Sequence, residues 1–543
     1  MSTTRTTTCP FCLNGCTSGV SFDGYQYRMD YAVDAHVNRG RLCPRGNSAS
    51  IVVDHPKRLS YPLLDGRETT WQQAGELVRR WLRAAGAGGL AIVYSRGRAA
   101  DEVRRLHGLA RELGTPYLAC GHVEPENAFN HRLAGVEDAT LEDVQSAKAT
   151  LLVGDVFNTS PVASWRMLEA RYADRKNRLV VVDSLRTRQS GFAHVFVQVR
   201  PGTEPFALLA LAALLDRKLS GVDVDRHAAL AGVERGLLET AAKALEPKTP
   251  GFVGSAMHPG RVRHPALHSL ASQLVARAAK KPFTGFRETA LPFGPTGFSS
   301  LREAVAAGKV KMLFWTGGLY PGSYHELMPE LDKVEHRVAT AIFVPDPPIP
   351  GLVLPLTAEL ERSSVGGSYW GEVKRSPVAS PFSGSRGFAD VLGLLGRAEE
   401  ADVAAPKPES VEAVVAMAAG AVAAERASDG WLLVGEKKAI GIRGFFDDEE
   451  TILVNAADAG RLEVDDEDYV AVKGPVAEAA FQVHVSRQVP PGVLCVGTNV
   501  HRNRALFPLG VDPATGETVV GPVRVEVEKA GVKVGPASET RAV

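Results

Sequence analysis

Four cysteines near the start of the sequence could hold a metal centre. Cys9, Cys12, Cys16 and Cys43 follow the spacing Cys-x2-Cys-x3-Cys-x26-Cys. Four soft thiolates at tetrahedral corners suit a [4Fe–4S] cluster. Three of them sit in one tight loop, Cys9-Pro-Phe-Cys12-Leu-Asn-Gly15-Cys16, where Gly15 lets the backbone turn. The fourth arrives later, in Gly40-Arg-Leu-Cys43-Pro-Arg45-Gly46. A structural zinc site also takes four cysteines, but usually as two Cys-x2-Cys pairs, and the second half here has one. Disulfides need an oxidising compartment. Iron–sulfur is the favoured reading, with zinc and disulfide as the alternatives.

The totals bound what surrounds this motif. At 543 residues the chain has room for roughly three or four domains of ~150 residues each. Hydrophobic residues make up 45%, enough for large cores. Lys+Arg and Asp+Glu are both 62, so there is no basic excess to suit nucleic acid as a general partner. The start, Met1-Ser-Thr-Thr-Arg, has neither the apolar core nor the twin arginine of an export signal. No apolar run approaches the ~18 residues of a membrane span. These features predict a cytoplasmic protein without a membrane span.

The elements that must position the motif follow in order. Residues 1–60 read as short strands around the cysteine loops, with a hairpin at 22–27 turning on Gly24. Residues 71–86 have helical apolar spacing. Strands are predicted at 90–94, 117–120, 150–155 and 178–183, with helices at 101–113, 162–173 and 205–219. This alternation implies parallel, doubly wound sheets. The strand pattern returns at 310–318 and 339–346, so the fold class is multidomain α/β with two α/β domains. Residues 397–428, rich in Ala, Glu and Pro, read as a linker with one helix at 411–425. After Trp431 come β-type segments at 451–455, 469–473, 481–486 and 493–496, a compact barrel.

This order resembles the molybdopterin oxidoreductase family: formate dehydrogenases, nitrate reductases and dimethyl sulfoxide reductase relatives. The first piece that carries the likeness is the cysteine motif with Cys43-Pro-Arg45-Gly46. The family often has Lys where Arg45 stands, between cluster and pterin, so the resemblance gives Arg45 an electron-path role. The second is Val153-Gly154-Asp155-Val156-Phe157-Asn158-Thr-Ser160-Pro161, followed by Val181-Val-Asp183-Ser-Leu-Arg186-Thr187. A loop after a parallel strand offers backbone N–H groups to phosphates, and a carboxylate at the next strand end can accept from ribose or guanine. Arg200-Pro201-Gly202-Thr203-Glu204 is similar to the family's "R-P-G-T-D", with Glu in place of Asp. A plain turn with Thr203 as helix N-cap is the bland alternative.

The third piece, Trp315-Thr-Gly317-Gly318, resembles the matching loop of the other α/β half. Leu352-Val-Leu-Pro355 with Glu359 and Glu361 resembles the family's "V-L-P…E" turn. The stretch from Val365 to Lys374 departs from the family's pattern. The fourth piece is the barrel, with Asn455 and Asp458 in a variant of "M-N-P-x-D-A". It ends in Gly497-Thr498-Asn499-Val-His501-Arg502-Asn503, which looks like the family's pterin-contacting end; a solvated loop is the alternative.

The resemblance implies a [4Fe–4S] domain at 1–60, an α/β domain around the metal centre at 61–145 and 320–396, and a dinucleotide-binding α/β domain at 146–319. A double-psi-type β-barrel follows at 429–543. It implies bis-molybdopterin guanine dinucleotide with Mo or W, contacted by Gly154, Asp155, Asn158, Ser160, Asp183, Arg186, Thr187, Pro201, Gly202, Glu204, Gly317, Gly318, Thr498, Asn499, His501 and Asn503. Cys120, at a strand end, stands where the family keeps its protein ligand to the metal, and a thiolate is a suitable soft donor. An inert buried thiol is the alternative. His122 resembles the proton-handling His of formate dehydrogenases, although Gly121 intervenes. Cys495 reads as core.

The expected function is therefore two-electron redox of a small substrate, formate/CO2 first. The alternatives are a nitrate reductase, the metal-binding subunit of a formylmethanofuran dehydrogenase, or a pterin-free relay like the large iron–sulfur subunit of complex I. A single cluster calls for an iron–sulfur or flavin electron partner.

Overall fold

The computed structural model describes residues 4–95, 97–121, 125–317, 328–345, 348–424, 430–436, 451–498, 501–512 and 515–531. His122, Gly318 and Asn499 lie outside the described residues, as does the side chain of His501. The chain forms two compact units. One is Met1–Val123 with Arg287–Pro406, and the other is Glu124–Phe286 with Lys407–Val543.

The first unit opens with an antiparallel sheet of Arg5–Thr8, Thr17–Phe22 and Tyr27–Tyr31. Val20, Tyr27 and Met29 on one face pack against Ala49 and Val53. The same unit holds a seven-stranded sheet. Its order is Arg67–Glu68, Leu63–Leu64, Leu352–Pro355, His336–Ala341, Met312–Thr316, Leu90–Tyr94, Tyr117–Cys120. The last five strands are parallel. Leu90–Tyr94 and Met312–Thr316 are buried along their whole length, which is why both read as unbroken apolar runs. The helix from Trp71 starts with a capping box between Thr70 and Gln73, and the backbone leaves helical geometry at Gly86.

Numbered along the chain, these five parallel strands run 5-4-3-1-2. The connections diverge at the gap between Leu90–Tyr94 and Met312–Thr316, and ligands bind outside the carboxyl ends of strands at such a point. There Ser95 N–H donates to Thr316 O at 3.0 Å, and Gly317 has φ +130 with no room for a Cβ beside Ser95. The domain division expected from the sequence puts Met312–Thr316 with the dinucleotide-binding region. The strand pairs with Leu90–Tyr94 instead, so residues 287–319 belong to the first unit.

The second unit repeats the logic. Its parallel strands run Val195–Gln198, Arg178–Asp183, Ala149–Val153, Gly251–Ala256, Phe283–Phe286. That is order 3-2-1-4-5, with the divergence between Ala149–Val153 and Gly251–Ala256. Helices Glu204–Leu215 and Pro265–Ala278 bury most of their length in one core. Helix Val411–Ala424, expected in a linker, places Val414, Ala418 and Ala421 in that same core. A closed barrel completes the unit, ordered Trp431–Glu436, Val493–Gly497, Thr451–Val454, Glu478–Val485, Tyr469–Lys473, Val523–Ala530. Asn455 caps Ala456–Leu462 through Ala457 N–H, and buried Asp458 accepts from Gly492 N–H at 2.6 Å. Cys495 is core, as expected. Among the described residues no helix is long and apolar enough to cross a membrane.

One ion pair ties the cysteine-loop segment to its sheet. Arg58 reaches Glu361 through two hydrogen bonds of 2.7 and 2.9 Å, with both side chains fully buried. A buried pair broken on one side leaves an uncompensated charge. Glu361→Gln is expected to lower stability by about 3 kcal/mol, read as a lower urea midpoint. An unchanged midpoint would show that the pair holds nothing together.

Candidate functional site

The cysteine loop closes on itself. Cys9 N–H donates to Cys16 O at 2.8 Å. Gly15, at φ +72, makes the turn. The Asn14 side-chain amide donates to Cys16 Sγ at 3.0 Å. Leu13 accepts from Tyr369 N–H at 2.7 Å through its carbonyl. Cys43 sits just before the short helix Pro44–Asn47. A Cβ on Gly46 would lie 3.7 Å from Cys9 Sγ, so glycine lets the fourth ligand's segment approach the first.

The four thiols lie near enough to act on one another electrostatically. Burial, then the thiolate charges of Cys12 and Cys43, push Cys9 up to about 12. Cys12 goes up to about 11 by burial, with Arg45 opposing and Cys43 reinforcing. Cys16 is raised further, by burial and then by Cys12 and Cys9. No cysteine is in a disulfide. Among the described residues no three Cys, His, Asp or Glu side chains are arranged around a single metal ion, and loading a cluster on these four thiols would expel their protons. The set fits a [4Fe–4S] cluster.

Arg45 is buried beside this set and forms an ion pair with Glu288. Burial alone would lower the Arg45 pKa, but Glu288, Cys12 and Cys43 outweigh it and raise it. A fixed cation next to a cluster stabilises the reduced state, and Glu288 tempers that effect. Sequence reasoning missed Glu288 because it is 243 residues from its partner.

Cys120 ends the edge strand opposite Tyr94 and is buried. It lies one strand from the divergence point of the first sheet, where Gly317 stands. Gly121 has a packing reason. A Cβ there would lie 2.6 Å from Val93 Cγ1 and 2.9 Å from Trp315 Cζ2. Only glycine fits directly after Cys120, so no histidine can occupy that position. The edge of this strand is covered by Thr296, which donates to Leu118 O at 3.0 Å from its backbone.

In the second unit the predicted dinucleotide residues gather at the sheet's divergence point. Gly154, at φ +67, leaves no room for a Cβ beside Ala256 O. Asp155 caps the next turn through Asn158 N–H at 3.2 Å. Asp183 accepts from Thr187 Oγ1 at 3.4 Å and forms an ion pair with Arg261. Glu204 is buried behind Pro201 and Gly202, and a Cβ on Gly202 would meet Arg263 Cβ at 3.1 Å. Thr203 stands at the N-cap position, but its hydroxyl donates to Arg200 O at 2.7 Å and caps nothing. Arg186 is exposed, its guanidinium 5.2 Å over the Phe196 ring. Thr498 N–H donates to Glu436 O at 2.8 Å. Asn503 donates to Gly497 O at 3.0 Å.

Sequence reasoning missed the loop after Gly251–Ala256. His258 Nε2 lies 3.3 Å from Asp155 O, and Arg261 is a buried cation facing Asp155, Asp183 and Glu436. Strand order 3-2-1-4-5 alone points to this loop, since it follows the strand on the other side of the divergence point from the Gly154 loop. Burial, then Asp183, pushes Asp155 up to about 7, with Arg261 opposing. Burial also takes Glu204 up to about 7. Ser160 Oγ, Arg261 Nη1 and Asn503 Oδ1 are buried without a hydrogen-bond partner among the described residues. Buried carboxyl acceptors and unsatisfied polar atoms at the divergence point have the chemistry to meet a guanine base, which offers N–H donors.

Residues 2–55 match the model of the molybdopterin oxidoreductase Fe4S4 domain. The chain is similar to nitrate reductase of Klebsiella oxytoca, 27% identical over 222 residues, 38% of this chain and 25% of that one. It is similar to the alpha chain of F420-dependent formate dehydrogenase from Methanocaldococcus jannaschii, 24% identical over 213 residues, 36% and 31% of the two chains. It is also similar to a sulfite dehydrogenase subunit of Allochromatium vinosum, 27% identical over 238 residues, 40% and 24%. The matched stretches thus span about a quarter to a third of those relatives. The fold is that of acetylene hydratase from Pelobacter acetylenicus, with TM-score 0.74, 13% identity, and 97% of this chain and 100% of that chain covered.

The raised carboxyls have a pH consequence. The unfolded chain ionises them near pH 4, while the folded chain holds its protons to about pH 7. Their stabilising contribution is complete below the unfolded pKa and is lost as pH rises toward about 7. The melting temperature of chain made without cofactor is expected to fall across that window, and Asp155→Asn to flatten the fall. A wild-type profile that rises from about pH 4 to about pH 7 would contradict the assignment.

Proposed function

We propose that this chain is a molybdopterin oxidoreductase, the catalytic polypeptide of a two-electron enzyme for a small oxo-acid, and that the substrate is formate. The family domain and the relatives imply a [4Fe–4S] cluster and molybdopterin guanine dinucleotide with Mo or W. The observation that carries the reading is Cys120, a buried thiol at the carboxyl edge of the first sheet, next to its divergence point. When bound, the metal–pterin group would supply the two-electron step, and the cluster would supply one-electron steps to an outside acceptor.

The chain's own residues do the rest. Cys9, Cys12, Cys16 and Cys43 would hold the cluster, and Asn14 donates to Cys16 Sγ. Arg45 adds a fixed positive charge beside it, balanced by Glu288. Cys120 would hold the metal through its thiolate. Asp155, Asp183 and Glu204 accept from the donors of the nucleotide base, and Arg261 keeps those carboxylates from repelling one another. His122 takes the proton that formate gives up with its two electrons. The formate dehydrogenase chain in the set of relatives supports this choice.

Nitrate is the second reading, because the nitrate reductase match is as extensive as the formate dehydrogenase one. Both readings are decided by one pair of assays on anaerobically prepared protein. Formate should reduce a viologen dye, and Cys120→Ala should lower that rate at least ~1000-fold, on the scale of losing a group at the reacting centre, while the cluster's EPR signal stays. Dye-dependent nitrate reduction with no formate oxidation would replace formate. Full formate activity in the variant would remove Cys120 from the chemistry.

A further inference from the structure

The first 61 residues carry an unusual share of exposed apolar surface. Of eleven exposed large hydrophobic side chains among the described residues, six are Phe22, Tyr25, Tyr31, Val33, Ile51 and Tyr61. The hairpin sets two of them, Phe22 and Tyr31, at opposite ends of one face. Residues directly opposite in an antiparallel pair share a face, so Ser18, Val20 and Phe22 share one with Tyr31, Met29 and Tyr27. The middle of that face is buried on Ala49 and Val53. Its ends run past this cover. At one end Phe22 packs on Tyr27, with rings 4.9 Å apart. At the other, Tyr31 is 61% exposed and Val33 is 67% exposed.

The Tyr31 end leads directly to the metal site. Tyr31 Oη donates to Asn47 Oδ1 at 3.0 Å. The Asn47 amide donates to Leu42 O at 3.2 Å and to Cys43 O at 3.3 Å. Val33 touches the other side of the same segment, since a Cβ on Gly40 would meet Val33 Cγ1 at 3.1 Å. Two hydrogen bonds therefore connect an exposed ring to the backbone of a cluster ligand. The charge around this end is cationic. Exposed Arg39 and Arg41 both precede Cys43, against one exposed carboxylate, Asp34.

We propose that the face formed by Tyr31, Val33, Arg39 and Arg41 is the docking site of an acidic iron–sulfur electron carrier. It exchanges single electrons with the cluster through the Tyr31–Asn47–Cys43 bridge. The proposal rests on the cluster assignment above. An apolar centre with a charged rim suits a transient partner, because the rim steers encounter and the centre excludes water. The step balances simply. One electron leaves a reduced [2Fe–2S] carrier, the cluster goes from 2+ to 1+, and no proton or ligand moves.

The test mixes reduced plant-type [2Fe–2S] ferredoxin with the oxidised full chain in a stopped-flow instrument at low salt. The wild type should accept electrons at a rate that falls steeply with added salt. Tyr31→Ala and Arg41→Glu should each lower that rate at least ~10-fold. Reduction by dithionite and the cluster's EPR spectrum should be unchanged. Val33→Glu, at an exposed position away from the Asn47 bridge, should show the same loss and guards against a variant that misfolds. Rates within about twofold of wild type in all three variants would overturn the docking site. So would a wild-type rate that does not fall with added salt. Failure of the wild type to assemble a cluster would instead overturn the cluster assignment itself.

Discussion

Four thiols are brought together, three of them where burial disfavours ionisation, and the first unit is built to keep them there. Burial and mutual repulsion hold Cys9 and Cys12 protonated far above neutral pH. Such a site costs stability until a metal centre fills it. The fold offsets this locally, with the Gly15 turn, the Cys9–Cys16 backbone bond and the Asn14 donor. It offsets it at long range with the buried Arg58–Glu361 pair, which fixes the segment after Cys43 to the sheet.

One segment links this site to the proposed metal ligand. Glu288 meets Arg45 beside the cysteines. A few residues on, Pro292 O accepts from Tyr94 Oη at 2.9 Å, and Thr296 pairs along the Cys120 strand. The charge beside the cluster and the packing around Cys120 therefore depend on the same short stretch of chain, 288–296. The second unit solves its own electrostatic problem in a parallel way. Buried carboxylates share a buried guanidinium, Arg261, at the point where the sheet's connections diverge. In both units an arginine supplied by a loop or short helix makes an acidic or sulfur-rich site tolerable in a dry interior.

What was legible in the sequence was local. The cysteine spacing, the apolar strand runs at 90–94 and 178–183 and the Arg200-Pro-Gly-Thr turn each carry their signal within a few residues. Strand Gly251–Ala256 escaped because two glycines interrupt it. Those glycines are there for packing: a Cβ at Gly254 would lie 2.7 Å from Phe286 Cε2. With that strand unread, the His258–Arg261 loop had no place in the site. Helix Val411–Ala424 reads as a helix, but its Ala-rich composition hides its burial, since small side chains pack closely without a strong apolar signal. The pairs Arg45–Glu288 and Asp183–Arg261 span 243 and 78 residues and leave no local mark.

The most direct test is metal and nucleotide analysis of protein purified without oxygen after expression with cofactor supply. The account predicts about four iron atoms per chain, with about one Mo or W and about two guanine nucleotides released on acid treatment. Four iron atoms without Mo, W or guanine would leave the cluster standing and contradict the crevice assignment. Zinc in place of iron would contradict the account at its foundation, the four converging cysteines.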